Sequence, residues 1–142
     1  MQTYIGTKII RAKPMNRQAY NDYRGWVVPM DENPLDEGYL VEYLDGGTPN
    51  TVSYAGYVSW SPKAQFEAAY TEIPNTEMMQ HAYQVRIAAE KAELDKKRSK
   101  LITFIQSAAF EALDTQERGR LTRQLTIMDD YSAVLGERLC AF

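Results

Sequence analysis

The 142-residue chain is long enough for one ordinary domain or two very small ones, and 44% apolar with 25% charged residues excludes wholesale disorder. A net charge of −3 argues against non-specific DNA binding, which sets Lys and Arg against phosphates, and is too small to make the chain a DNA mimic. The one cysteine, Cys140, excludes an internal disulfide and a cysteine zinc cluster; it reads as a small, partly buried apolar residue near the C-terminus.

In chain order, TYIGTKIIRA (3 to 12) is rich in β-branched and aromatic residues and predicts a strand, ended by Pro14. Asn16 is placed to cap a short helix through about Tyr23, closed by Gly25. Residues 27 to 37 carry Pro29, Pro34 and the acids Asp31, Glu32, Asp36 and Glu37, and predict a solvated acidic loop. GYLVEYLD (38 to 45) predicts a second strand, with Tyr39, Val41 and Tyr43 on one face and Leu40, Glu42 and Leu44 on the other. Gly46-Gly47 opens a turn, and GYVSWS predicts a third strand that pairs antiparallel with the second. A helix follows from Pro62 to about Tyr70, with Ser61 as its cap and Phe66, Ala69 and Tyr70 towards the sheet.

Composition changes near residue 75. All six prolines and both tryptophans lie before it, and the proline-free remainder predicts helix. One helix is expected from Thr76 to about Ser107 and another from Asp114, whose spacing to Glu117 is that of a capping box. Leu121, Leu125, Met128, Ser132, Leu135 and Leu139 form a heptad-like seam with one polar member; Ile87, Leu94 and Leu101 repeat on the first helix. A short connection between them predicts an antiparallel hairpin. The expected fold is therefore α+β: a small three-stranded antiparallel sheet with short helices (1 to 75), then a long helical hairpin (76 to 142). The outer residues Ile102, Ile127 and Val134 call for another partner, the β part or a second chain, and a homo-oligomer is expected.

No catalytic constellation appears. His81 has no second histidine or cysteine beside it, the acidic loop lacks EF-hand spacing, and no phosphate-loop fingerprint occurs, so neither a metal nor a cofactor is expected. Three features can serve a ligand. Arg24-Gly25-Trp26 sets a cation beside a flat ring, which fits a phosphate and a stacked base, or a surface cation next to a core residue. The tyrosines before residue 75 are too many for a small core to satisfy every hydroxyl, so some, Tyr57 among the candidates, belong to a surface. Trp60 and Lys63 flank the strand-to-helix junction, where Lys63 in the first turn conflicts mildly with the helix dipole unless an anion binds there.

YIGTKIIRAKPM, GYLVEYLDGG and GYVSWSPKAQFEAAY together resemble a family of small phage and prophage proteins. AELDKKRSKLITFIQSAAFEAL, followed by RLTRQLTIMDDYSAVLGERL, resembles a helical module related to a crAss-like phage protein. The layout is also similar to that of phage anti-Thoeris sponges, which bind nucleotide-derived signals between subunits and do not cleave them. These resemblances imply a non-enzymatic anti-defence protein in the host cytosol that sequesters a nucleotide-derived signal, and the aromatics and cations of the sequence itself offer Arg24, Trp26, Tyr57, Trp60 and Lys63 as ligand-binding candidates. Neither a membrane nor a specific nucleic acid is expected as partner, and no segment reaches the roughly 18 apolar residues of a spanning helix. The alternative is an interaction module that inhibits or recruits a host protein through the hairpin's outer stripe and the acidic loop.

Overall fold

A computed structural model describes residues 1–142, in two compact units, Met1–Tyr70 and Thr71–Phe142. The fold class is α+β. In unit 1, strands β1 (Arg11–Pro14), β2 (Gly38–Tyr43) and β3 (Tyr57–Pro62) form an antiparallel sheet in the order β1-β2-β3. Helix α1 (Arg17–Arg24) lies between β1 and β2, and α2 (Lys63–Ala69) follows β3.

The first strand is shorter than expected. Pairing begins where Arg11 faces Glu42, and β2 ends one residue further on at Tyr43. Residues 3 to 10 therefore have no strand to pair with, and Tyr4 and Ile5 stand exposed despite their β propensity.

Helix α1 forms as its sequence predicts. Asn16 Oδ1 accepts the Ala19 N–H at 2.8 Å, and Gly25 ends the helix at φ 69°, a left-handed turn that costs glycine little. Tyr20 of α1 packs with Leu40 and Val58 into the core of one sheet face, with Met15, Tyr54 and Trp60 around it. On the other face Phe66 of α2 stacks on Tyr39 with ring centroids 4.1 Å apart and meets Tyr70 at 4.9 Å. Ala69 is exposed and takes no part in that packing.

Two further expectations in unit 1 are corrected. Ser61 is not the cap of α2: it remains in the sheet opposite Tyr39, and Pro62 holds the cap position without a side-chain bond. Sheet pairing holds Ser61 one residue before the place where its hydroxyl would cap. The acidic loop is not simply solvated. Its Pro34 and Asp36 carbonyls accept the first free N–H groups of α1, from Gln18 and Arg17, each at 2.9 Å. Its Glu32 and Asp36 carboxylates hold Arg17 at 2.5 and 3.2 Å, and Arg17 in turn lies 4.4 Å over the Trp60 ring.

Unit 2 is a helical hairpin of α3 (Ala82–Ile105) and α5 (Thr115–Cys140), joined through the short α4 (Ala108–Glu111). Helix α3 starts later than expected, because residues 76 to 78 form a single 3-10 turn. Its start is set by Gln84, whose buried Oε1 accepts the Gln80 and His81 N–H groups, both at 2.9 Å. Asp114 caps α5 by accepting from Gln116 and Glu117 N–H groups at 2.9 and 3.0 Å. Phe110 is buried at the turn with its ring edge-on to Phe104. Every member of the predicted α5 seam is sheltered, and Leu135 and Ser132 are buried outright. Cys140, which the sequence reads as partly buried, is exposed instead. No helix is long and apolar enough to cross a membrane.

Candidate functional site

The end of α1 and the chain leaving it build the first site. Gly25 turns the backbone so that Trp26 comes back against the helix, where its N–H donates to the Asn21 carbonyl at 2.8 Å. The Arg24 guanidinium then lies 4.2 Å from the Trp26 ring centroid and donates to Tyr20 Oη at 3.0 Å. Its partners are aromatic rather than carboxylate, which leaves its charge uncompensated. Trp26 is 51% exposed and forms one wall of an open groove of about 420 Å³, which Gln18, Asp22, Met30 and Glu32 also line. Apolar walls with a half-exposed indole suit a flat ring, while the two acids are already engaged, Glu32 by Arg17 and Asp22 by Gln18.

The other sequence candidates are placed differently. Trp60 belongs to the core of unit 1: its Nε1–H donates to the Met15 carbonyl at 2.8 Å, and one ring face carries Arg17. Tyr57 is an exposed strand residue opposite Tyr43. Lys63 is engaged twice by Glu37. Its ammonium holds that carboxylate at 2.7 Å, and its N–H donates to the Glu37 carbonyl at 3.0 Å. The hydrogen bond and charge of Lys63 hold the Glu37 carboxyl below its usual range, and Glu37 raises Lys63 in return. The carboxylate beside Lys63 at this junction is that of Glu37. The structure brings Arg24 and Trp26 together and leaves Tyr57, Trp60 and Lys63 apart from them.

Sequence reasoning missed two polar clusters. In unit 2, Lys91 Nζ donates to Asp95 at 2.9 Å and to Ser132 Oγ at 2.7 Å, while the Ser132 hydroxyl donates to Asp95 at 2.5 Å. Burial opposes the Asp95 charge most strongly. The bonds from Lys91 and Ser132, with the charges of Lys91 and Arg98, outweigh it and hold the carboxyl below its ordinary value. The one polar member of the α5 seam was the signal for this triad. In unit 1, Glu42 is 5% exposed and accepts the Gly56 N–H at 3.0 Å. A charged residue alternating inward between Leu40 and Leu44 was the signal there.

The comparisons bear on unit 2. Residues 81–141 match the family described as Sequestin. The match spans α3, α4 and α5 apart from the first residues of unit 2. Neither the curated proteins nor the solved structures yielded a match.

Proposed function

We propose that this protein binds a small nucleotide-derived immune signal in the cytosol of a phage-infected host and sequesters it without cleaving it. The observation that carries this reading is the match of residues 81–141 to Sequestin, a name that denotes holding a molecule rather than converting it. The resemblance of GYVSWSPKAQFEAAY and its companion segments to phage and prophage proteins supplies the setting, and the likeness in layout to anti-Thoeris sponges supplies the ligand class.

The geometry of unit 1 supports a nucleotide in one respect. An uncompensated guanidinium beside a half-exposed indole is a phosphate partner next to a stacking platform. Arg24 takes the phosphate in this reading, since its guanidinium has aromatic partners and no carboxylate, whereas Asp22 lines the groove. The exposed row Ile127, Tyr131 and Val134 on α5 supports assembly into a homo-oligomer.

The test is recovery of the ligand. The purified protein is denatured by heat and the released nucleotides are identified by mass spectrometry, then titrated back. Binding in the low-micromolar range or tighter is expected, and Arg24→Ala and Trp26→Ala should each weaken it about tenfold. A nucleotide panel that shows no such affinity sinks the reading. The same α5 row favours a second reading, an interaction module for a host protein. A stoichiometric host partner recovered without nucleotide would support that one instead.

A further inference from the structure

Strand β1 is one edge of the sheet, and its two sides differ. The Met15 N–H donates to the Gly38 carbonyl at 2.9 Å, in the same register that sets Lys13 opposite Leu40 and Arg11 opposite Glu42. Backbone N–H and C=O groups of the odd-numbered residues therefore point at β2, and those of the even-numbered residues point out of the sheet. The line of β1 continues before Arg11. The same register places Lys8 opposite Asp45, and that ion pair is present at 3.4 Å, with Lys8 also 5.8 Å from the Tyr43 ring. Residues 1 to 10 make no backbone–backbone hydrogen bond. Carried on to Tyr4, this alternation gives an open edge of Tyr4, Gly6, Lys8, Ile10 and Ala12, and Tyr4 and Ile5 are 83% and 87% exposed.

The opposite edge of the sheet is blunted. The Lys63 N–H donates to the Glu37 carbonyl in the register that sets Ser61 opposite Tyr39, so the odd-numbered residues of β3 face β2 and Val58, Trp60 and Pro62 face outward. The Asn50 amide takes both backbone groups of Val58, and Pro62 has no N–H. On β1 only Pro14 is closed in this way, and it marks where the usable edge ends. A sheet with one long, apolar, open edge and one blunted edge fits a partner that adds a strand and stops further growth. A second copy of the chain, offering the same open edge, meets that condition.

We propose that residues 3 to 11 pair antiparallel with the same residues of a second copy, about a two-fold axis at Thr7, joining two three-stranded sheets into one. The segment is complementary to itself in this register. Ile5 faces Ile9, Tyr4 faces Ile10, and Thr7 faces its own counterpart across the axis. These are the β-branched, aromatic and Thr–Thr pairs that stabilise antiparallel strands. Lys8 faces Gly6 and keeps its own Asp45, and Arg11 faces Thr3, so no like charges stand opposite one another. An axis at Lys8 would set two lysines against each other, and an axis at Gly6 would set Tyr4 against Lys8 and Ile5 against Thr7. The pairing uses the same surface on both copies, so it closes at two. It involves neither the Trp26 groove nor the α5 row, and it does not depend on a ligand.

Analytical ultracentrifugation of the full chain should show a dimer. Gly6→Pro removes an outward N–H beyond the end of β2, at a position where an added Cβ meets nothing within 4 Å. It should weaken the dimer about tenfold, because symmetry loses the bond twice, and leave the circular dichroism of the helices unchanged. Cross-linking reads the register. In a Cys140→Ser background, which removes the exposed native thiol, Thr7→Cys sets two thiols at a non-hydrogen-bonded pair with Cα atoms about 4.5 Å apart, within disulfide reach. Mild oxidation should turn most of that variant into a covalent dimer. Thr3→Cys, whose two copies would lie about 27 Å apart, should stay uncross-linked. A chain that is monomeric at about 0.1 mM overturns the proposal. A dimer that ignores Gly6→Pro and is not cross-linked through Thr7→Cys overturns it too, and assigns the contact to another surface such as the α5 row.

Discussion

The two units hold themselves together by different means. Unit 2 is closed by periodicity: apolar residues recur along α5 and one polar position, Ser132, is satisfied by Lys91 and Asp95. Unit 1 has only Tyr20, Leu40 and Val58 as the buried cluster on one face of its sheet, and it closes its loops with individual side chains. Arg17 clamps the acidic loop, and Glu42 anchors Gly56. Asn50 of the β2–β3 loop both accepts from the Val58 N–H and donates to its carbonyl, each at 2.8 Å, so that its amide stands in for a further strand on β3. A seam distributes stability over many equivalent contacts, whereas a loop anchor concentrates it in one. The Trp26 groove of unit 1 lies beside the Arg17 anchor and shares Glu32 with it.

Substitutions can break this comparison at several strengths. The largest effects belong to the apolar centres. Leu135→Ala should cost about 3 kcal/mol, and Leu40→Ala about the same, because both side chains are fully enclosed and leave cavities. Both tryptophans lie in unit 1, so urea unfolding followed by fluorescence reports on Leu40→Ala, while helical circular dichroism reports on Leu135→Ala. A loss below about 1 kcal/mol for Leu135→Ala would mean that the seam is not the core of the hairpin.

The polar layer comes next. Ser132→Ala removes the hydroxyl shared by Lys91 and Asp95 and should cost about 1 to 2 kcal/mol, while Ser132→Leu, which completes the apolar seam, should not restore the loss because it sets a bulky apolar side chain against the Lys91–Asp95 pair. The Asp95 carboxyl titrates lower in the folded protein than its ordinary value of 3.8. Its contribution is therefore present above that value and is lost as pH falls through the lower folded value. Denaturation curves taken at successively lower pH should show this acid step, reduced in Ser132→Ala.

The smallest effects should come from single helix ends and surface pairs in unit 1. Asn16→Ala should cost about 1 kcal/mol through the lost cap bond to Ala19. Lys63→Ala removes an exposed pair with Glu37 and should change the unfolding midpoint less than Asn16→Ala, with a difference that shrinks as salt is added. A larger effect for Lys63→Ala would show that the strand-to-helix junction depends on the charge as well as on the Glu37 carbonyl.

The sequence was most readable where a pattern repeats. The α5 seam, the Asp114 cap and the pairing of β2 with β3 all follow from spacing that only one kind of element satisfies. It was least readable where a residue's partner lies far along the chain. Residues 3 to 10 carry the composition of a strand, but β2 is too short to pair with them. Glu32 and Asp36 look like solvent-facing loop acids until Arg17 is brought beside them. Of the candidate site, the closeness of Arg24 and Trp26 was legible because one glycine links them, whereas the bond from Trp60 to Met15 was not, because its partner sits 45 residues earlier.

By itself, then, the sequence determined the α+β class, the three-stranded antiparallel order, the two long helices and the buried face of α5. Each of these is a periodic or capped pattern that local physics completes. The tertiary structure decided which charges are free. Lys63 is neutralised by Glu37 and Arg17 by Glu32 and Asp36, whereas Arg24 has aromatic surroundings. Ion pairing depends on distances that close only when strands and loops are assembled, and sequence spacing does not encode them.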